Sequence, residues 1–167
     1  MTIPFTGDFA LPVSQALMSI LDQELVRSGM VLKGKSSLVF NFRDPDYGPV
    51  RGGFHPVEIR LLKRKDRWQF DYVTDFSYQG PEEMAELVKE IDFNFLSEEY
   101  YQLHYGQMGP ASARELYTMW ESNFVSYYQM GVFTVSVAAQ PSHRTGEEQE
   151  PAAVWYWRWR CRVYLSM

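Results

Sequence analysis

The sequence predicts one α+β domain, a largely antiparallel sheet packed by helices on one face. Three observations carry this. Apolar residues recur at three- and four-residue spacing in some stretches and alternate with polar residues in others. Each alternating stretch has one apolar row, which suits a sheet covered on a single side. Aromatic residues make up 16% of the chain, and they favour strands and bury large areas.

The first helix is expected from about Val13 to Ser28. Val13, Leu17, Ile20, Leu21 and Leu25 share a face, Pro12 suits the first turn and Gly29 the position after the end. Ser37 to Phe42 reads as a strand, with Leu38, Phe40 and Phe42 on one row. Asp44-Pro45 ends it, because proline cannot donate to a ladder. Val57–Arg64 and Arg67–Phe76 read as a hairpin around Lys65-Asp66, with a longer loop left open. A two-residue turn sets Ile59 opposite Tyr72, Leu61 opposite Phe70, and Arg60 opposite Asp71 as a cross-strand charge pair.

Gly80-Pro81-Glu82-Glu83 is expected to open a short helix with Met84, Leu87, Val88 and Ile91 as its stripe, changing to strand near Ile91. Tyr100–Tyr105 reads as another strand, ended by Gly106. Ser112-Ala113-Arg114-Glu115 has the pattern of a capping box, opening a helix with Leu116, Trp120, Phe124, Tyr127 and Tyr128 on its apolar face and Met130-Gly131 at its end. Val132–Val137 is the next strand. Leu17, Leu21, Phe40, Ile59, Leu61, Phe70, Leu116, Trp120 and Phe124 are expected in the core.

Residues 1–139 are assigned to the α+β domain, and 140–152, rich in Pro, Gly and Glu, to a mobile connector. Residues 153–167 form a C-terminal strand or tail. There Trp155, Trp157 and Trp159 begin one row while Arg158, Arg160 and Arg162 form the other.

A chain of 167 residues fits one domain with a real core. The net charge of −5 argues against indiscriminate nucleic-acid binding, which relies on neutralising phosphates. Cys161 is the single cysteine, so neither an intrachain disulfide nor a cysteine-based zinc site can form. The start lacks the basic and apolar regions of a signal peptide, and no run is long enough for a membrane helix. A cytoplasmic protein without a membrane partner is expected.

Candidate binding groups concentrate between two strands, in the loop carrying Arg43, Asp44, Asp46, Tyr47, Arg51, Phe54, His55 and Glu58. Imidazole and carboxylates together suit a divalent metal or acid–base work, but the spacing matches neither His-Glu-x-x-His nor a calcium loop. A hydrogen-bonded loop is the preferred reading. Arg51-Gly52-Gly53 lacks the pattern of a nucleotide loop and reads as a turn. No Gly-x-Ser-x-Gly motif is present, and Cys161 falls on an apolar row. No catalytic residue, metal or cofactor is assigned.

Asn41-Phe42-Arg43-Asp44-Pro45-Asp46-Tyr47, followed by Gly52-Gly53-Phe54-His55-Pro56-Val57-Glu58-Ile59, resembles the hallmark stretch of the bacterial family called Domain of Unknown Function 2787. The likeness runs from Leu11-Pro12-Val13-Ser14 to about Val137. The resemblance implies a bacterial protein, in part of the family one carried on mobile elements, and it brings no catalytic residue with it.

The function expected is that of a non-enzymatic binding or accessory protein contacting a protein partner or itself. The contact is expected at the loop or at Trp155, Trp157, Trp159, Arg158 and Arg160, since exposed aromatics and arginines anchor interfaces. An alternative is a hydrolase or metal-dependent enzyme using His55, Glu58 and Asp44 or Asp46. A third is single-stranded nucleic-acid binding through the Arg158 row.

Overall fold

A computed structural model of the protein describes residues 2–141. The expected connector beyond Pro141, the Trp155 row and the Arg158 row lie outside the described residues. The elements run α1 (Gln15–Ser28), β1 (Lys35–Arg43), β2 (Val57–Arg64), β3 (Arg67–Gln79), β4 (Glu86–Asn94), β5 (Tyr100–Gln102), β6 (Gly106–Met108), α2 (Pro110–Gln129) and β7 (Thr134–Pro141). The strands form one antiparallel sheet in the order β6-β5-β4-β3-β2-β1-β7. Both helices pack on the same face, so the expected α+β arrangement holds.

Helix α1 begins where the Ser14 hydroxyl accepts the Leu17 N–H (3.2 Å) and ends at Gly29, which takes the left-handed conformation at φ 68°. Leu17, Ile20, Leu21 and Leu25 are buried in the same core cluster as Leu38, Phe40 and Phe42 of β1. Helix α2 does not use the expected capping box. It starts two residues earlier, at Pro110 after Gly109, so Ser112 already lies inside the first turn. Its buried face is Ala113, Tyr117, Trp120, Glu121 and Phe124, while Leu116 is only partly buried. Met130 and Gly131 close it as expected. The core between helices and sheet is aromatic: Trp120 stacks on Phe124 (5.2 Å), which meets Phe42 edge-on (4.9 Å), while Tyr117 meets Phe93 (5.1 Å).

Two elements depart from expectation. The segment after Gly80 makes only a single 3-10 turn, Glu82–Met84, and then turns extended at Ala85. A helix of about two turns is marginal. Pairing of β4 with β3 from Gln79 to Tyr72 satisfies the same backbone groups in a long ladder. Tyr100–Tyr105 likewise splits, with β5 ending at Gln102 and a tight turn leading to β6.

The β2–β3 hairpin turns at Lys65-Asp66 and pairs Leu61 with Phe70, as expected. Beyond that pair a β-bulge shifts the register. Arg60 faces Tyr72 and Ile59 faces Val73, rather than Asp71 and Tyr72. Asp71 is the extra residue, and its carboxylate still reaches Arg60 at 3.4 Å. A second bulge on β4 leaves Glu90 unpaired, between Lys89 opposite Phe76 and Ile91 opposite Asp75. A bulge puts two consecutive residues on the same side of a sheet. Here it keeps Lys89 and Asp92 together on the helix-free face (2.8 Å) while Glu90 and Ile91 turn to the helix side.

Candidate functional site

The loop between β1 and β2 is ordered by one carboxylate. Asp44 Oδ1 accepts the Asp46 N–H (2.9 Å), Oδ2 accepts the Phe54 N–H (3.0 Å), and its backbone carbonyl accepts the Tyr47 N–H (3.2 Å). One side chain thus ties both ends of the loop, as aspartate does in turns. Between those ends Gly48 and Gly52 exchange backbone hydrogen bonds at 2.9 and 3.3 Å. Gly53 sits at φ 127°, and a Cβ there would lie 2.7 Å from Asp44 Oδ2. Only glycine fits while that hydrogen bond exists. Gly53 is therefore a condition of the Asp44 clasp.

The tip carries Pro49, Val50 and Arg51. Val50 is 72% exposed, and the Arg51 side chain, 74% exposed, pairs with Asp46 at 3.1 Å. An exposed ion pair of this kind contributes little stability. The base of the loop is anchored by aromatics. Phe54 meets Tyr127 of α2 at 4.7 Å and Phe133 at 6.5 Å. Tyr47 lies 5.4 Å from both His55 and Tyr78, and its hydroxyl accepts the Tyr78 N–H at 3.1 Å. Burial pushes the Tyr47 phenol up.

Where the loop enters β2, His55 meets two carboxylates. Its Nδ1 is 2.8 Å from Asp75 Oδ1 on β3 and 3.6 Å from Glu90 Oε2 at the β4 bulge. Trp120 of α2 donates its indole N–H to Asp75 Oδ2 at 3.0 Å. The hydrogen bond to Asp75 raises the His55 pKa above its ordinary value, against partial burial that lowers it. Asp75 and Glu90 are the partners that reading the sequence missed. Asp75 sits in an ordinary strand pattern, and Glu90 arrives through a bulge that no periodicity announces.

Glu58 goes elsewhere. It accepts the Tyr72 hydroxyl at 2.5 Å on the helix-free face, where Thr74 bonds Asp92 and Arg60 reaches Asp71. Asp75, one residue past Thr74, faces α2. His55 and Glu58 therefore lie on opposite faces of the sheet, Asp44 is committed to the loop backbone, and Asp46 pairs with Arg51. The set His55, Glu58, Asp44 and Asp46 does not converge. Burial raises the Glu58 and Asp71 carboxyls, opposed by the Tyr72 hydrogen bond and then Lys89 and Arg60 for the former, and chiefly by Arg60 for the latter. Tyr72 is held well above its ordinary value by burial and by Glu58. Arg43, last in β1, is exposed just before the clasp.

No helix among the described residues is long and apolar enough to cross a membrane. No curated protein matches the sequence significantly. Solved structures similar to it include two from Vibrio cholerae. The hypothetical protein VC0508 of the VSP-II pathogenicity island is 34% identical with a TM-score of 0.76, covering 83% of this chain and all of its own. The conserved hypothetical protein VC1805 of pathogenicity island VPI-2 is 34% identical with a TM-score of 0.68, covering 78% of this chain and 98% of its own. It is described as sharing structural homology with the human P32 protein. Residues 15–138 match the family described as Protein of unknown function (DUF2787), and the chain belongs to that family.

Proposed function

We propose that this is a non-enzymatic accessory protein of the bacterial cytoplasm, which engages a protein partner or a second copy of itself through the loop from Asp44 to His55. The observation that supports this most is the Asp44 clasp. It holds the loop in one shape and leaves Val50 and Arg51 projecting at the tip. A loop ordered before binding loses less entropy on contact. Arginine is a common interface anchor. The sequence-derived alternative of a hydrolase loses support from the separation of His55 and Glu58.

The test is affinity capture from the native host with the wild-type chain and a Val50→Asp/Arg51→Glu double variant. Both positions are exposed, so the variant is expected to fold. A partner, or the chain itself, held by the wild type and lost by the variant supports the proposal. The same species recovered with both would contradict it.

A further inference from the structure

His55, Asp75 and Glu90 come from three separate pieces of chain, a loop, β3 and β4. They nonetheless offer one nitrogen and two carboxylate oxygens within 4.8 Å of one another. We propose that these three side chains bind a single divalent transition-metal ion of the Zn²⁺ class, through His55 Nδ1, Asp75 Oδ1 and Glu90 Oε2. The remaining position of the ion faces solvent. This site goes beyond the loop contact proposed above and does not rest on it.

The spacing suits the ion. Donors bound to a tetrahedral zinc at about 2.0–2.2 Å lie roughly 3.3–3.6 Å from each other. His55 Nδ1 and Glu90 Oε2 are already 3.6 Å apart, and Nδ1 and Asp75 Oδ1 are 2.8 Å apart. Admitting the ion would open the second pair by roughly half an ångström, within reach of a small rotation of the imidazole or the Glu90 side chain. The chemistry of the donor set narrows the metal. An imidazole favours zinc and its neighbours, whereas calcium and magnesium prefer oxygen ligands alone. Two carboxylates around one imidazole also supply negative charge for a dication.

The surroundings orient the donors. Trp120 engages Asp75 Oδ2 and so leaves Oδ1 for the site, the outer hydrogen bond expected of a ligating carboxylate. The Tyr47 ring lies against the His55 ring and restricts its plane. Asp75 forms the inner wall at 12% exposure, with His55 at 36% and Glu90 at 34% toward solvent, so a small ligand or a partner's side chain can reach the ion.

The experiment uses the full chain, stripped with a chelator and titrated at neutral pH with Zn²⁺ by calorimetry and with Co²⁺ by visible absorption. Glu90→Gln, His55→Ala and a control, Glu115→Gln on the exposed side of α2, are run in parallel. One equivalent is expected to bind the wild type and the control. Loss of either ligand should weaken it by about tenfold or more, given that even outer-shell changes cost that much. The Co²⁺ band should vanish with it. Circular dichroism establishes that each variant is folded. Glu90 is partly exposed and the glutamine is its isostere, so Glu90→Gln decides the matter should His55→Ala fail to fold. An absence of binding by the wild type overturns the proposal, as does an equivalent that Glu90→Gln leaves unchanged. His55 and Asp75 would then be a hydrogen-bonded pair without an ion.

Discussion

Trp120 and Asp75 join the α2 helix to the third strand through a 3.0 Å hydrogen bond from the indole N–H to the carboxylate. The other oxygen of the same carboxylate holds His55, at the foot of the β1–β2 loop. Helix, sheet and loop are thereby tied at a single carboxyl group. Trp120→Phe keeps an aromatic ring next to Phe124 but deletes the donor and leaves a small void. It is expected to destabilise the protein by about 2–3 kcal/mol in urea denaturation. A change under about 0.5 kcal/mol would mean that the indole hydrogen bond contributes little.

The Asp44 clasp makes a sharper local prediction. Gly53→Ala forces a Cβ against Asp44 Oδ2 at a positive φ, and Asp44→Ala removes the acceptor outright. Both should loosen the loop while leaving the sheet intact. Gly53→Ala should cost roughly 1–3 kcal/mol. Amide hydrogen exchange at Phe54 should rise in both variants, with exchange in β2 and β3 unchanged. Slow exchange at Phe54 in Asp44→Ala would show that something else orders the loop.

How much of this arrangement was legible in the sequence depended on which rule each residue obeyed. Leu38, Phe40 and Phe42 alternate without interruption, so β1 and its buried row could be read directly. Leu17, Leu21 and Leu25 follow the helical period in the same way. The loop could be singled out because its Pro, Gly and charged residues interrupt two such patterns. The two bulges could not. Asp71 and Glu90 each break the two-residue period by one, and nothing in their own side chains signals it. A strict alternation therefore set Arg60 opposite Asp71 in the ladder and gave no hint that Glu90 turns toward His55. Met84, Leu87, Val88 and Ile91 have helical spacing, yet only a 3-10 turn forms at Met84 and the rest is β4, because a short helix could not compete with the β3 ladder.

The helix-free face yields a pH prediction. Burial raises the Glu58 carboxyl above its ordinary value. A carboxyl raised in the folded state gives up stability as pH climbs from its unfolded pKa to its folded one, because the unfolded chain releases its proton first. Glu58→Gln removes that loss and retains an oxygen to accept the Tyr72 hydroxyl. The variant should match the wild type in strongly acidic solution and be more stable than it at neutral pH. Thermal melts across pH check this. A variant that loses ground as pH rises would contradict the assignment.

Glu121 tests the join between the helices. Its buried carboxylate accepts the Ser14 N–H at 3.0 and 3.2 Å and the Tyr117 hydroxyl at 2.9 Å. Ser14 is also the cap of α1. Glu121→Ala strands two donors, one of them on a fully buried tyrosine, and is expected to cost about 2–4 kcal/mol in chemical denaturation. Glu121→Gln should recover part of this by keeping one acceptor.

The measurement that bears most directly on the proposed function is photo-crosslinking in the native host, with a photoreactive amino acid in place of Val50 at the loop tip. A control chain carries it in place of Lys65, in the exposed β2–β3 turn. The account predicts one dominant adduct from position 50, either a distinct protein or a second copy of this chain, and no such adduct from position 65. No adduct at position 50, or the same adducts from both positions, would contradict the claim that the loop from Asp44 to His55 is the binding surface.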